Sequence, residues 1–580
     1  MTYYLIIINI ITFIIYGIDK YKSIKHKYRI SENTLIILAI LGGSLGAFFG
    51  MITFHHKTKK KKFIILVPLL ILIWVWILIK FDWNKKYDII NQRWKNMYEQ
   101  YLEQYVDTLY KNSNMGLKGT QYGLYTKEEY YKLLKPVIEL FKKDLTLEEM
   151  REELYKQSKL EENVDKFIHQ REMAPGMVFR MGTKNYEETI VIGNRQEVKL
   201  DENNNIVPAL EEMTEDTIFD LASITKLFTS LSILKLAQNK TITLNDEIIK
   251  YAPEFKNLKG VTIFDLLTFR IPLRTNGRID RAESKEQAEE ILKNIEIAPP
   301  IGNKNPYTDM GAMVLKYVIE HASGMNYYKF VKENILDKLN MTDTHIIVPQ
   351  MKLDRVASTN LGVKYFKDGN TNITTHQRGT VYDEKAQILL PKESGHAGIF
   401  STVEDMSNLA QGIINNQIID EKYVRRMAKN RTGKKYIEDG QEKYVQYLGF
   451  LCYAKNPYYP DTEIFHALSG KSIASAGWTG TQLTVDPINE LYFFMAGNRS
   501  HNRMTYIDPQ QRDKIQEENG KKTIVLPNGK TMVDATRYAW DRCYDIIFPA
   551  LELTIQYKML EDLYELMNEK IEKQTNTRKI

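Results

Sequence analysis

Three apolar runs crowd the first eighty residues: Tyr3–Tyr16, Thr34–Phe54 and Phe63–Ile79. The second and third approach the roughly 20 residues that a helix needs to cross a bilayer. The first has no basic stretch ahead of it and no small-residue cleavage site, so it reads as an anchor and not as a signal peptide. A chain built this way folds in two parts, one for lipid and one for water. Trp74, Trp76 and Trp83 suit an interfacial end for the third run. The Lys57–Lys62 cluster lies between two membrane segments and suits anionic lipid head groups.

The loop charges tie under the positive-inside rule. Lys20, Lys22, Lys25, Lys27 and Arg29 follow the first run; Lys57, Lys59, Lys60, Lys61 and Lys62 follow the second. A re-entrant middle segment, bent at Gly42-Gly43, would put both loops inside and the C-terminal bulk outside.

The 580 residues allow two to four domains. A net charge of +6 against 79 basic and 73 acidic residues argues against a nucleic-acid partner. Cys452 and Cys543 make neither a disulfide framework nor a metal site. With no His-Glu-x-x-His and no paired Cys-x-x-Cys, neither a catalytic metal nor a cofactor is expected. The pattern divides the chain at 1–82 (three apolar segments), 83–160 (a charged helical stalk), 161–548 (the mixed soluble bulk) and 549–580 (a helix, Leu551–Lys573, and a polar tail). The bulk opens with a short helix at Val164–Arg171. Two strands follow, Gly176–Gly182 and Thr189–Gly193, with a turn at Thr183-Lys184-Asn185.

Chemistry concentrates in Phe219–Ser230. Apolar residues at Leu221, Ile224, Leu227, Phe228, Leu231 and Leu234 have helical spacing, which places Ser223 at a helix N-terminus. Backbone N–H groups there favour negative charge, and Lys226 lies one turn up the same face. A serine hydroxyl needs a base, and a lysine can be that base where burial or nearby cations lower its pKa. The same spacing recurs by chance at Ser232 and Lys235, half a turn out of phase. His396 and His501 read as structural, and Asp383 and Glu384 as a solvated or structural pair.

Further stretches join Ser223 in order: Pro299-Pro300-Ile301-Gly302 leading to Pro306-Tyr307-Thr308-Asp309; Arg378–Glu384; Ser394–Thr402; Ser475-Ala476-Gly477-Trp478; and Asn498–His501. Together they resemble the serine hydrolases of the class C β-lactamase and penicillin-binding protein superfamily, over about 161–548. The resemblance implies an α/β fold: an antiparallel sheet flanked by helices plus a helical lobe, here preceded by an all-α transmembrane domain. It implies Ser223 as nucleophile with Lys226 and Tyr307 as catalytic partners. Asp309, Ser475, Gly477 and Trp478 would line the substrate site, and the N–H groups of Ser223 and Trp478 would form the oxyanion hole.

Two residues depart from the family pattern. Asp309 stands where Asn is usual, and its carboxylate would hold Lys226 protonated and shift the base role towards Tyr307. Ser475 replaces a Lys or His that would meet a substrate carboxylate; Arg270 or Arg274 are candidates to replace that charge. In the N-terminal part, Gly17–Lys20, Arg29–Glu32, Leu41–Gly46, Gly50-Met51 and Phe54–Lys59 resemble a small bacterial membrane family of unknown function. Its glycines would let helices approach closely.

The expectation is a multi-pass, membrane-anchored serine hydrolase with its catalytic domain extracytoplasmic. Its substrates would be β-lactams or small molecules derived from peptidoglycan or teichoic acid, D-amino-acid peptides and esters among them. The partners expected are these substrates and membrane lipids. The alternative is a catalytically lapsed binding or sensing module of the same fold, tethered to the membrane.

Overall fold

Contacts divide the chain into two units, Met1–Tyr105 and Val106–Ile580. The computed structural model describes residues 2–25, 30–80, 101–115, 117, 125–170, 174–202, 206–299, 307–359, 363–365, 371–373, 378–389, 394–429, 435–438, 441–444, 447–456, 463–504, 515–518, 521–525, 531–534 and 544–576. The stalk residues 81–100 with Trp83, the loop residues Lys27 and Arg29, the Pro300–Pro306 lead-in and Cys543 lie outside these.

The first unit is helical. Its elements are α1 (Thr2–Ile24), α2 (Glu32–Leu38), α3 (Ser44–Thr53) and α4 (Lys61–Lys80). Ser31 caps α2 by accepting a bond from the Thr34 N–H. The bend expected at Gly42-Gly43 is present: a π-type turn, Ala39–Gly43, joins α2 to α3, and Gly42 has φ +109°. Asn9 braces this break. Its Nδ2 donates to the Gly42 carbonyl at 2.8 Å, and its Oδ1 accepts from the Gly46 N–H at 2.6 Å. A Cβ on Gly46 would lie 2.0 Å from the Asn9 carbonyl, so α1 and α3 touch backbone to backbone. Two spans, Tyr4–Ile24 and Glu32–Thr53, are long and apolar enough to cross a membrane.

The second unit is organised by an antiparallel sheet. Its strands are β1 (Gly176–Thr183), β2 (Glu187–Leu200), β3 (Ile206–Glu212), β4 (Tyr453–Ala454), β5 (Ile473–Gly477), β6 (Thr481–Asp486) and β7 (Leu491–Gly497). They lie in the order β4-β5-β6-β7-β1-β2-β3. The expected hairpin is the β1–β2 pair, with β2 running longer past two register shifts between Asn194 and Val198. Every residue of β1, β6 and β7 is buried, because two helices pack on the sheet. They are Val403–Ile414 and the C-terminal Tyr544–Asn576.

The helices ahead of the sheet dock on that C-terminal helix. Lys127–Phe141 and Leu147–Ser158 each start on a capping box, at Thr126/Glu129 and Thr146/Glu149. Arg151 then donates to Glu561 at 2.9 Å, and Thr183 of β1 bonds the same carboxylate. Leu160–Asp165 runs into a π-helical turn, Lys166–Gln170, so a short helix precedes the strands as expected.

Candidate active site

Ser223 lies in a 3₁₀ turn, Ala222–Ile224, that feeds α5 (Thr225–Gln238). The residue before it is strained: Ala222 has φ +45°, which L-residues rarely adopt. The turn is held from both sides. Asp220, fully buried, accepts the Ala222 N–H at 2.8 Å and the Tyr382 N–H at 2.6 Å. Burial pushes its carboxyl up to about 6 against those two donors. From the sheet, Thr479 and Thr481 donate to the carbonyls of Asp220 and Leu221, at 2.6 and 3.2 Å. A Cβ on Gly477 would sit 2.3 Å from the Leu221 carbonyl, so this glycine lets β5 run alongside the serine turn.

Along α5 all of Thr225–Leu234 is buried, with Lys226 at 0 % exposure. Its ammonium lies 2.8 Å from Ser223 Oγ, 2.8 Å from Asp309 Oδ1 and 3.3 Å from the His396 carbonyl. Distances alone would suit a neutral amine as well, with its lone pair towards the serine. Charge decides. Burial favours the neutral amine, but Asp309 and then Tyr307 outweigh it and raise the Lys226 pKa above the ordinary lysine value. Asp309 is the counterpart: burial favours its acid, yet Lys226, His396 and Lys385 hold the carboxyl well below its usual range. The charges around it therefore favour a protonated Lys226.

Tyr307 is clamped between two rings. Phe269 stacks on it at 5.0 Å with 22° between planes, and Tyr453 of β4 faces it at 6.3 Å and 7°. Lys226 Nζ lies 5.0 Å from the centre of the Tyr307 ring. The structure thus brings Ser223, Lys226, Tyr307 and Asp309 together, with Gly477 beside the serine turn. Trp478 follows at the end of β5, 41 % exposed, its carbonyl taken by Arg499 Nε. Ser475 sits in β5 opposite Leu483 and is buried.

Other expectations divide. The second Ser-x-x-Lys faces elsewhere, since Lys235 Nζ donates to the Ile418 carbonyl at 2.8 Å. His501 is structural: its Nε2 accepts the Glu197 and Val198 N–H groups at 3.0 and 3.3 Å, across the irregular part of β2. Arg270 stacks on Phe264 at 4.8 Å, and Arg274 pairs with Glu296 at 2.9 Å, so both already have partners. Cys452 is buried and free.

Asp383 and His396 are where sequence reasoning fell short. His396 Nε2 meets Asp383 Oδ1 at 2.8 Å, and Lys385 reaches both Asp309 and Asp383, at 3.1 and 3.2 Å. The signal was in the Tyr382-Asp383-Glu384 and Gly395-His396-Ala397-Gly398 stretches, whose spacing gives no hint that they converge on Asp309. Side-chain ligand atoms of Asp309, Asp383 and His396 lie within 4.8 Å of one another, the kind of grouping a metal ion needs. The fit is poor, because Lys385 already bridges both carboxylates and Lys226 holds Asp309.

The family pattern described as Beta-lactamase matches residues 170–516, more than half of the chain. The chain belongs to the β-lactamase family. It carries the antiparallel sheet and helices of that fold, and the family is one of serine hydrolases. A protein from Salmonella paratyphi B named "Putative D-alanyl-D-alanine carboxypeptidase" is 28% identical over 325 residues, covering 50% of this chain and 71% of its own. Its namesake in Salmonella typhimurium is 29% identical over the same length. Among solved structures, a penicillin-binding protein homologue from Pyrococcus abyssi is 20% identical, with TM-score 0.44 over 59% of this chain and 73% of that one. A class C β-lactamase from Rhodobacter sphaeroides is 14% identical, with TM-score 0.44 over 68% and 98%. A second pattern, a protein family of unknown function (DUF1294), matches residues 9–63.

Proposed function

We propose that this β-lactamase-family chain is a membrane-anchored hydrolase that forms an acyl-enzyme through Ser223. The contact that carries the reading is Lys226 Nζ, 2.8 Å from both Ser223 Oγ and Asp309 Oδ1, beside the clamped Tyr307 ring. Ser223 Oγ attacks a carbonyl carbon, the new C–O bond forms, and the serine proton passes to the Tyr307 phenolate beside the Lys226 ammonium. The backbone N–H groups of Ser223 and Trp478 receive the oxyanion. Tyr307 returns the proton to the leaving group, and water releases the acyl group by the same steps in reverse order.

The substrates are esters or peptides of D-amino acids from the cell wall. The names of the Salmonella relatives support a D-alanyl acyl group. Ser475 in place of a cation, with Arg270 and Arg274 already partnered, supports leaving groups without a terminal carboxylate. The two apolar spans support anchoring in the membrane, and a wall substrate supports an extracytoplasmic hydrolase unit. A lapsed binding module would have no use for the strained Ala222 or the paired Lys226.

Incubating the full chain and Ser223→Ala with a penicillin and with a D-alanyl ester, and following intact mass and ester turnover, tests this. Ester turnover by the wild type alone is expected. A lasting penicillin adduct without ester turnover would move the reading to a penicillin-binding enzyme, and no reaction with either would sink it.

A further inference from the structure

Asp309 and Asp383, both partly buried, place carboxylate oxygens within 4.8 Å of each other. Two like charges so close raise each other's proton affinity, and one of them takes up a proton unless a cation stands between them. Lys385 supplies that cation. It projects from a short helix, Glu384–Leu389, and its ammonium lies 3.1 Å from Asp309 Oδ2 and 3.2 Å from Asp383 Oδ2. The free oxygens of the two acids point the other way: Asp309 Oδ1 to Lys226 at 2.8 Å, and Asp383 Oδ1 to His396 Nε2 at 2.8 Å. The His396 carbonyl then accepts from Lys226 at 3.3 Å, so the contacts close into a ring: Lys226, Asp309, Lys385, Asp383, His396 and back.

We propose that Lys385 is a positioning residue: by bridging Asp309 and Asp383 it keeps the Asp309 carboxylate ionised and aimed at Lys226, and so keeps an ammonium beside Ser223. The proposal rests on Ser223 being the nucleophile. Two lysines face two carboxylates in the ring, and removing Lys385 leaves Lys226 as the one lysine for both acids. The ionisable groups around Asp309 are Lys226 from α5, Tyr307 from its own loop, and Lys385, Asp383 and His396 from the segments opposite. Asp280 acts on Lys385 from a neighbouring turn, but it is paired with Arg278. Burial would favour neutral Lys385; Asp383 and Asp309 outweigh it and raise its pKa above the usual lysine value.

The role is one of charge balance, so the test is a rescue. The full chain in detergent is treated with a fluorophosphonate probe, which bonds through phosphorus to an activated serine oxygen and expels fluoride. The phosphonylation rate of Ser223 is read by mass. Lys385→Met is expected to slow labelling by about tenfold to a hundredfold, as when a group that orients a ligand is removed. Lys385→Arg restores most of the rate. Adding Asp383→Asn to Lys385→Met also recovers rate, because it removes the unbalanced carboxylate. A Lys385→Met rate equal to wild type, or a double variant slower than Lys385→Met, overturns the proposal. A wild type that is labelled no faster than Ser223→Ala overturns the nucleophile reading itself, and this inference with it.

Discussion

Two side chains decide the chemistry at the residue scale. Asp309 raises the proton affinity of Lys226 against the effect of burial. In Asp309→Asn that anion is gone, Tyr307 is left to oppose burial, and the lysine pKa falls from its wild-type position. The sign is therefore fixed. The phosphonylation rate of Asp309→Asn gains an inflection on the alkaline side below about pH 10, where neutral Lys226 begins to act as base. In wild type the Lys226 inflection lies at higher pH. Identical rate profiles from pH 6 to 10 would show that Asp309 does not set the charge. Gly477 is the second case. A methyl group there meets Thr481 Oγ1 at 2.1 Å and the Leu221 carbonyl at 2.3 Å, so β5 must move away from the serine turn. Gly477→Ala is expected to destabilise by about 2 kcal/mol or more through overpacking and to lose labelling. Chemical denaturation and the probe rate check both.

Elements place these residues through their ends. The helix Ile263–Leu267 begins on a Thr262/Asp265 capping box and stops two residues short of Phe269, whose φ of +52° turns the chain. Phe269 is 1 % exposed and forms one side of the clamp on Tyr307. Phe269→Leu keeps most of the volume and is expected to cost about 1 kcal/mol of stability, while kcat falls and KM stays within twofold or about that. A KM increase at unchanged kcat would assign Phe269 to substrate binding and not to holding Tyr307. The Leu266–Pro272 stretch carries no local signal of this arrangement. It could not show that the ring folds inwards, because that depends on a left-handed residue at a helix end, which bulky side chains seldom adopt.

In the whole molecule, the two contact units make different demands. The sheet unit has its own buried core, and its C-terminal helix ties Arg151 and Thr183 to one carboxylate, Glu561. A chain reduced to residues 106–580 is expected to fold and to label at Ser223 within about twofold of the full chain. It should leave the membrane fraction when cells are disrupted. A large loss of labelling would mean that the first 105 residues serve the site and not only the anchor.

What the sequence determined by itself was local. Apolar runs of membrane length, the strand-to-helix switch that sets Ser223 one turn below Lys226, and the β1–β2 hairpin all follow from periodicities within a dozen or so residues. The order of motifs added the family and its sheet. The tertiary structure alone decided which distant groups meet. Lys385 and His396 reach Asp309 from 76 and 87 positions further along the chain, and Tyr453 closes on Tyr307 from 146. Nothing local fixes such meetings. They are set by how buried helices and strands pack, and there a charge finds its partner because leaving it unpaired would cost more than any local preference.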